Sequence, residues 1–584
     1  MSTYDVIVHG GTVVDGTGSV GVPQDIAVAD GRIVAVGEPE SFADATATEQ
    51  IDATGLIVCP GFIDPHTHYD AQILWDPQVT PSANHGVTTI IMGNCGFSIA
   101  PLGNEADAKY IREMLVKVEG MSLASLEQGT DWSWRSFPDY LSRIEGRTAV
   151  NVGAQVGHSA IRRLVMGEDA VTREATAVEI DQMKALIREA VEAGAVGFST
   201  TQSFTHTDAT GAPVPSRWCS RDELVELCGV LADYDGTTLE WAADGCLRGF
   251  TDDELNLMAD MSAAANRPIN WNVLTIDSAR PDDYVEQIKA SEHAAARGGR
   301  VVALTMPILA GMNMSFGSYC GLNLLPGWNA VLGLPIEQRI ERLKDPVIRE
   351  MMEKAAAADA SVVGRLTGWR LYRIGDTFSD ANDGLSGRRV DDIAAERHTS
   401  PFDTLLDIVL ADDLRTVLWP GPTDDDDESW QLRKAAWDLP DVMIGGSDAG
   451  AHLDRMAGSS YPTEWLADCL HGRQLTSMEN AIRHLTQVPA GFFGLHDRGV
   501  IAEGNVADVV VFDPAAVGAE APVLADDLPG GGQRLMPKAK GVHTVLVNGS
   551  AVVAGGQLVT DAFPGRVLRS GTDTRGTAVR PDPK

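Results

Sequence analysis

Cys59-Pro60-Gly61-Phe62-Ile63-Asp64-Pro65-His66-Thr67-His68-Tyr69-Asp70 is the stretch from which the fold is read. The apolar Leu56 to Val58 leads into it, so it reads as a buried strand that surfaces at two histidines. Side chains alternate across a strand, which sets His66 and His68 on the same side. Two imidazoles converging at a strand's end can grip one divalent cation. A pair of satisfied surface histidines is the plain alternative for a bare His-x-His. The flanking Pro-Gly-Phe-Ile-Asp-Pro and the following Asp70 favour the metal.

Bulk properties narrow the function classes. The chain has 584 residues, enough for a large core, with 44% hydrophobic and 22% charged residues and 59 glycines. A net charge of -36 argues against nucleic acid or an anionic membrane as partner, because both would be repelled. Seven cysteines, an odd number scattered from Cys59 to Cys469, do not make a disulfide framework. They suit a reducing compartment. Met1 to Asp5 leads straight into a strand without a basic or apolar leader, and no apolar run has the length of a membrane span. A cytoplasmic protein with a small-molecule substrate is the expectation.

Pro60 to His68 resembles the signature of the metal-dependent amidohydrolase superfamily. The likeness continues in Gly86-Val87-Thr88-Thr89-Ile90-Ile91-Met92-Gly93-Asn94-Cys95-Gly96, which is similar to the second strand of D-aminoacylases with its metal-binding cysteine. Gly445-Gly446-Ser447-Asp448 is similar to the last barrel strand with its catalytic aspartate. Asp497 to Ile501, Ala507 to Asp513 and Pro564 to Arg569 resemble the family's closing segment. The resemblance is strongest to N-acyl-D-amino-acid deacylases and spans nearly the whole chain.

Two β-rich ends flank a central body. Val6 to Gly11 and Ile33 to Gly37 near one terminus, and Val506 to Phe512 and Val542 to Gly549 near the other, suggest one small β-sandwich built from residues 1–58 and 491–569. Between them strand-like runs end near His68, Cys95, His158, Thr200, Glu240, Asn272, Pro307 and Asp448. Ile180, Met183, Ile187, Ala190 and Val191 keep helical spacing, as do Leu224, Leu227, Cys228 and Leu231. This alternation, with a strand count guided by the resemblance, predicts an α/β protein with a (β/α)₈ barrel over residues 59–490 and its site at the strands' C-terminal ends. No strand–helix rhythm is clear over about 308–440, which reads as an inserted subdomain. The acidic run Asp424 to Asp427 within it reads as a solvated loop. Residues 570–584 read as a polar tail.

Amide hydrolysis needs a nucleophile, an acid–base group and a polariser of the carbonyl, and a bound cation supplies the first and third. His66 and His68 are the firmest ligands, with zinc the first candidate ion. Asp448 follows Val442-Met443-Ile444 and a Gly-Gly-Ser turn, so its carboxylate is placed at the mouth to touch metal and shuttle the proton. An ordinary turn aspartate is the alternative. Cys95, at a strand end between glycines, is either a thiolate ligand or a small buried hydrophobe. The resemblance implies a carboxylated lysine on the fourth strand of many relatives. Ala195 to Thr200 has none, which leaves a cysteine or glutamate as any bridging anion.

The fifth and sixth strands depart from the deacylase pattern. Metal-binding histidines are implied there, whereas this chain has Glu240 and Asn272. Either one cation is held mainly by His66, His68 and Asp448, with Glu240 an acid–base or substrate-ammonium group, or the site is rebuilt around Glu240 and Cys95. A structural Glu240 is the third reading. For substrate contact the candidates are His158, Arg217, Asn272, Trp328, His452 and Arg455, the last through its bidentate fork. The resemblance implies a hydrolase of a non-peptide C–N amide bond. A cyclic amide, lactone or other ester on the same machinery remains open, as does a metal-depleted binding protein. Barrel enzymes of this kind often form dimers or tetramers, so a homo-oligomer is also expected.

Overall fold

Val87-Thr88-Thr89-Ile90-Ile91-Met92 is buried at every position, as a strand must be when both faces of its sheet are covered. The computed structural model describes residues 3–580 apart from 248, 319 and 360. In it, eight strands run parallel in chain order: β1 (Phe62–Asp64), β2 (Val87–Met92), β3 (Asn151–Gly157), β4 (Gly197–Thr201), β5 (Thr238–Ala242), β6 (Ile269–Asn272), β7 (Val301–Thr305) and β8 (Val442–Ile444). The sheet closes through residues just beyond its first and last members. Thr67 and Ala449 form a parallel bridge, and the His68 N–H donates to Ala449 O at 2.7 Å. The expected barrel is present.

Helices cover the strands. Thr176 caps Ala177–Glu192 in a reciprocal box with Glu179, and the helix buries Ile180, Met183, Ile187, Ala190 and Val191. Leu224, Leu227 and Cys228 lie on Arg221–Gly229, while Leu231 falls on the 3₁₀ turn that follows.

Both ends of the chain build one mixed sheet. Ile57–Pro60 pairs parallel with Thr3–Val13 and antiparallel with Val509–Phe512. Val509 and Val511 face this sheet's own core, whereas Val510 and Phe512 face the barrel. Strand alternation thus makes one segment serve two cores. Gly61 joins this sheet to β1 and must be glycine, since a Cβ there would lie 2.1 Å from Thr88 Oγ1. All seven cysteines are free. Among the described residues no helix is long and apolar enough to cross a membrane.

Three expectations are corrected. The inserted body between β7 and β8 has its own core, from Met314 to Leu418, but Asp427–Trp437 packs Trp430, Ala436 and Trp437 into the barrel core. The insertion is therefore shorter than the sequence suggested. The acidic run is only in part the solvated loop expected, since Asp425, Asp426 and Asp427 are exposed but Asp424 is not. Asp426 caps that helix through the Ser429 N–H at 2.9 Å, and Asp424 is buried between Arg433 and Arg365. The expected tail is tied down as far as it is described. Thr574 donates to Gly236 O at 2.6 Å and the Arg580 N–H to Asn266 Oδ1 at 2.9 Å, while residues 581–584 lie outside the described residues.

Trp328 sits in the insertion's core, fully buried, its indole donating to Met352 O at 2.9 Å and its ring stacked on Trp369 at 5.4 Å. It is packing, not a substrate contact. Trp328→Ala should cost roughly 3–5 kcal/mol of the inserted body's stability. Calorimetry should show an earlier transition while metal content stays unchanged.

Candidate metal centre

The barrel seam sets the site. Thr67 turns outward from it, its N–H and hydroxyl both donating to Ile91 O, at 3.0 and 2.9 Å. His66 and His68 on either side then project together, their rings 5.1 Å apart. Past β8, the Ser447 N–H donates to Asp64 Oδ1 at 3.2 Å and the Asp448 N–H to His66 O at 3.2 Å. Gly450 follows, with room for no side chain because a Cβ would lie 2.4 Å from the His68 carbonyl. The turn presses Asp448 Oδ1 to 3.2 Å from His68 Nε2 and 3.6 Å from His66 Nε2. Cys95, on the turn after β2, brings Sγ to 3.7 Å from His66 Nε2.

The ligand atoms of His66, His68 and Cys95 all lie within 4.8 Å of one another, and all three residues are buried. Two imidazoles and a thiol are a donor set for a borderline-soft transition metal.

The surroundings are acidic and dry. Burial pushes Asp64 and Asp70 up to about 6, Glu119 to about 7 and Glu240 to about 8. Burial, then Glu240, raises the Cys95 thiol well above its ordinary value. Burial alone would lower His68, but Glu119 and Asp448 outweigh it and lift the ring to about 10. Burial and the charge of His68 take His66 down to about 3. For Asp448 burial is opposed by His68, which holds the carboxyl well below its usual range. So many acids around two histidines and a thiol are destabilising alone, and a divalent cation among them offsets that.

Glu119 was not anticipated. It ends the helix Glu105–Val118 and places Oε1 3.6 Å from His68 Nδ1, orienting the ring as a partner behind a metal ligand does. Nothing in Val118-Glu119-Gly120 distinguishes it from a surface acid at a helix end. His206 was also missed. It lies in the loop after β4, edge-on to Phe97 at 5.0 Å, with Nδ1 2.7 Å from Thr201 Oγ1. Burial and then the nearby charge of His68 drive it down to about 3. A lone loop histidine carries no spacing signal.

The other candidates divide. Glu240 Oε2 accepts the Cys95 N–H at 2.7 Å, and Asn272 Nδ2 lies 3.6 Å from Cys95 Sγ. His452 Nε2 is 3.8 Å from Asp448 Oδ2. Arg455 pairs with Asp454 at 2.9 Å and reaches the same rim, where a Cβ on Gly120 would lie 3.2 Å from both its guanidinium and the His452 ring. Arg217 braces the loop after β4, donating to His206 O at 3.1 Å.

His158 does not join them. It is fully buried, with Nδ1 2.9 Å from Thr200 Oγ1 and Nε2 2.9 Å from Glu223 Oε1. Both ring nitrogens are engaged, so the substrate-contact reading is corrected to a structural one.

A family profile described as "Amidohydrolase family" matches residues 49–559. A D-aminoacylase of Alcaligenes xylosoxydans xylosoxydans is 28% identical over 588 residues, 97% of each chain. A solved D-aminoacylase with a binuclear metal centre matches with a TM-score of 0.64 at 28% identity, over 97% of this chain and 100% of that one. The N-acyl-D-glutamate deacylase of Bordetella bronchiseptica, solved with zinc and a phosphonate mimic of the tetrahedral intermediate, matches at 0.63 and 25% identity, with 97% and 100% coverage.

Zinc titrated into metal-stripped protein should raise the melting temperature. At free zinc a hundredfold above Kd the linkage is about 2.7 kcal/mol, roughly 2 °C for a chain of this size. His66→Ala should abolish the rise. A second test concerns Glu223. Burial pushes its carboxyl up, but His158 and Arg162 outweigh that and hold it below its ordinary value. The stability it adds is therefore present above the ordinary carboxylate pKa and lost as pH falls through the lower folded value. Glu223→Gln should cost roughly 3–5 kcal/mol near neutral pH by stranding buried Arg162. The gap to wild type in melts should narrow below about pH 4.

Proposed function

The chain belongs to the Amidohydrolase family, and on that premise we propose that it is a metal-dependent hydrolase that removes the acyl group from N-acyl-D-amino acids. It is an enzyme acting on a non-peptide C–N amide bond. The observation that carries the reading is the meeting of His66, His68 and Cys95 within 4.8 Å, with Asp448 3.2 Å from the second histidine. The D-aminoacylase similarity over nearly the full length supports the substrate class.

His66, His68 and Cys95 would hold a divalent cation, zinc by the chemistry of the donors, and such an ion acidifies a water and polarises the scissile carbonyl. Asp448 supplies the proton transfer. Its carboxylate, with Oδ1 3.2 Å from His68 Nε2, is placed to take a proton from the attacking water and deliver it to the leaving nitrogen. Glu119 lies behind the ring of His68, with Oε1 3.6 Å from Nδ1, and His452 Nε2 faces the other Asp448 oxygen at 3.8 Å. His206 and Arg455 stand at the mouth, where an imidazole orients the acyl group and a guanidinium meets the amino-acid carboxylate.

N-acetyl-D-amino acids should be hydrolysed and their L-enantiomers spared, measured as acetate released. Chelation should stop turnover and zinc should restore it. Asp448→Asn should lower kcat by roughly 10² to 10⁴ with zinc retained. Hydrolysis at the wild-type rate in that variant would remove Asp448 from the mechanism.

A further inference from the structure

The solved D-aminoacylase has a binuclear centre, yet the residues facing Cys95 here are arranged for something else. Cys95 adopts a left-handed backbone, φ 54°, which is costly for a residue with a Cβ. What holds it there comes from β5 and β6. Glu240, buried on β5, accepts the Cys95 N–H at Oε2, 2.7 Å away, and its Oε1 lies 3.9 Å from Sγ. Asn272, the last residue of β6, turns its Nδ2 donor to Sγ at 3.6 Å, on a sulfur that itself donates towards Glu240 Oε1. Both oxygens of Glu240 thus reach Cys95, and the carboxylate also meets the Asn272 amide.

A second cation would need ligands of its own. Among the described residues the only group of three or more candidate ligands close enough to share an ion is His66, His68 and Cys95. Asn272 offers a neutral amide, a poor ligand for a transition metal. We infer that this chain holds a single catalytic cation, and that Glu240 and Asn272 are positioning residues that fix Cys95 as its ligand. This rests on the proposed metal-dependent reading and narrows it. The acid–base and ammonium-binding readings of Glu240 give way to one in which the carboxylate supports a ligand from behind.

The test reads the metal, not turnover. Wild type, Glu240→Gln, Glu240→Ala and Asn272→Ala are stripped and reloaded with zinc or cobalt(II). Ions per chain are counted by elemental mass spectrometry, with circular dichroism as the check on folding. Wild type should hold one ion. Glu240→Gln keeps an oxygen for the Cys95 N–H and should keep both that ion and the near-ultraviolet thiolate-to-cobalt charge-transfer band. Glu240→Ala should weaken the band and lower cation affinity by roughly 10- to 100-fold, and Asn272→Ala should do so through loss of its donor even if Glu240→Ala does not fold. Two ions on wild type, or one of two lost in Glu240→Ala, would make Glu240 a ligand and overturn the inference while leaving metal-dependent hydrolysis standing. An unchanged band and affinity in folded Glu240→Ala would also overturn it. No cation on any protein would sink both readings.

Discussion

Everything at the site depends on how the barrel is closed. β1 and β8 are short, and the ring is completed beyond their ends by the bridge between Thr67 and Ala449. That bridge lies between the two histidines on one side and directly after Asp448 on the other. Closing the barrel and assembling His66, His68 and Asp448 are therefore the same event. Asp64 reinforces the seam by accepting the N–H groups of His66 and Ser447. A slip of one residue would turn Thr67 inward and the histidines out.

The second constraint is charge. Asp64, Asp70, Glu119 and Glu240 are all buried near two histidines that differ sharply, one raised and one lowered. Carboxylates in a dry cleft shift upward unless a cation is present. The basic partners at hand, His68 above all, compensate only part of that charge. The cleft is thus suited to a positive ion at its centre, and Glu119 and Glu240 act on the ligands from outside the ligand set.

The remainder of the chain supports this ring. Asp508, from the C-terminal half, accepts from Asn151 on β3 at 2.9 Å, from Arg498 at 3.1 Å and from the Asn548 N–H at 2.7 Å. Val567–Leu568 then adds beside β3 in parallel. These contacts anchor the terminal sheet to the barrel on the side away from the site. The inserted body keeps its own core, so it borders the mouth without being part of the barrel's packing.

The sequence by itself determined the elements and the local chemistry. The His-x-His alternation and the apolar runs are properties of neighbours in the chain, and the paired histidines and the family resemblance followed from them, with the count of eight strands guided by that resemblance. It did not separate a buried packing residue from a pocket residue. Trp328 and His158 were read as contacts because burial and partners are invisible in a string of residues. Glu119 and His206 were missed for the same reason. Only the tertiary structure decided what Glu240 does, since it meets Cys95 across 145 residues of sequence. Contacts of that span are made by strand order around the barrel, and no local pattern encodes which side chain a buried carboxylate will face.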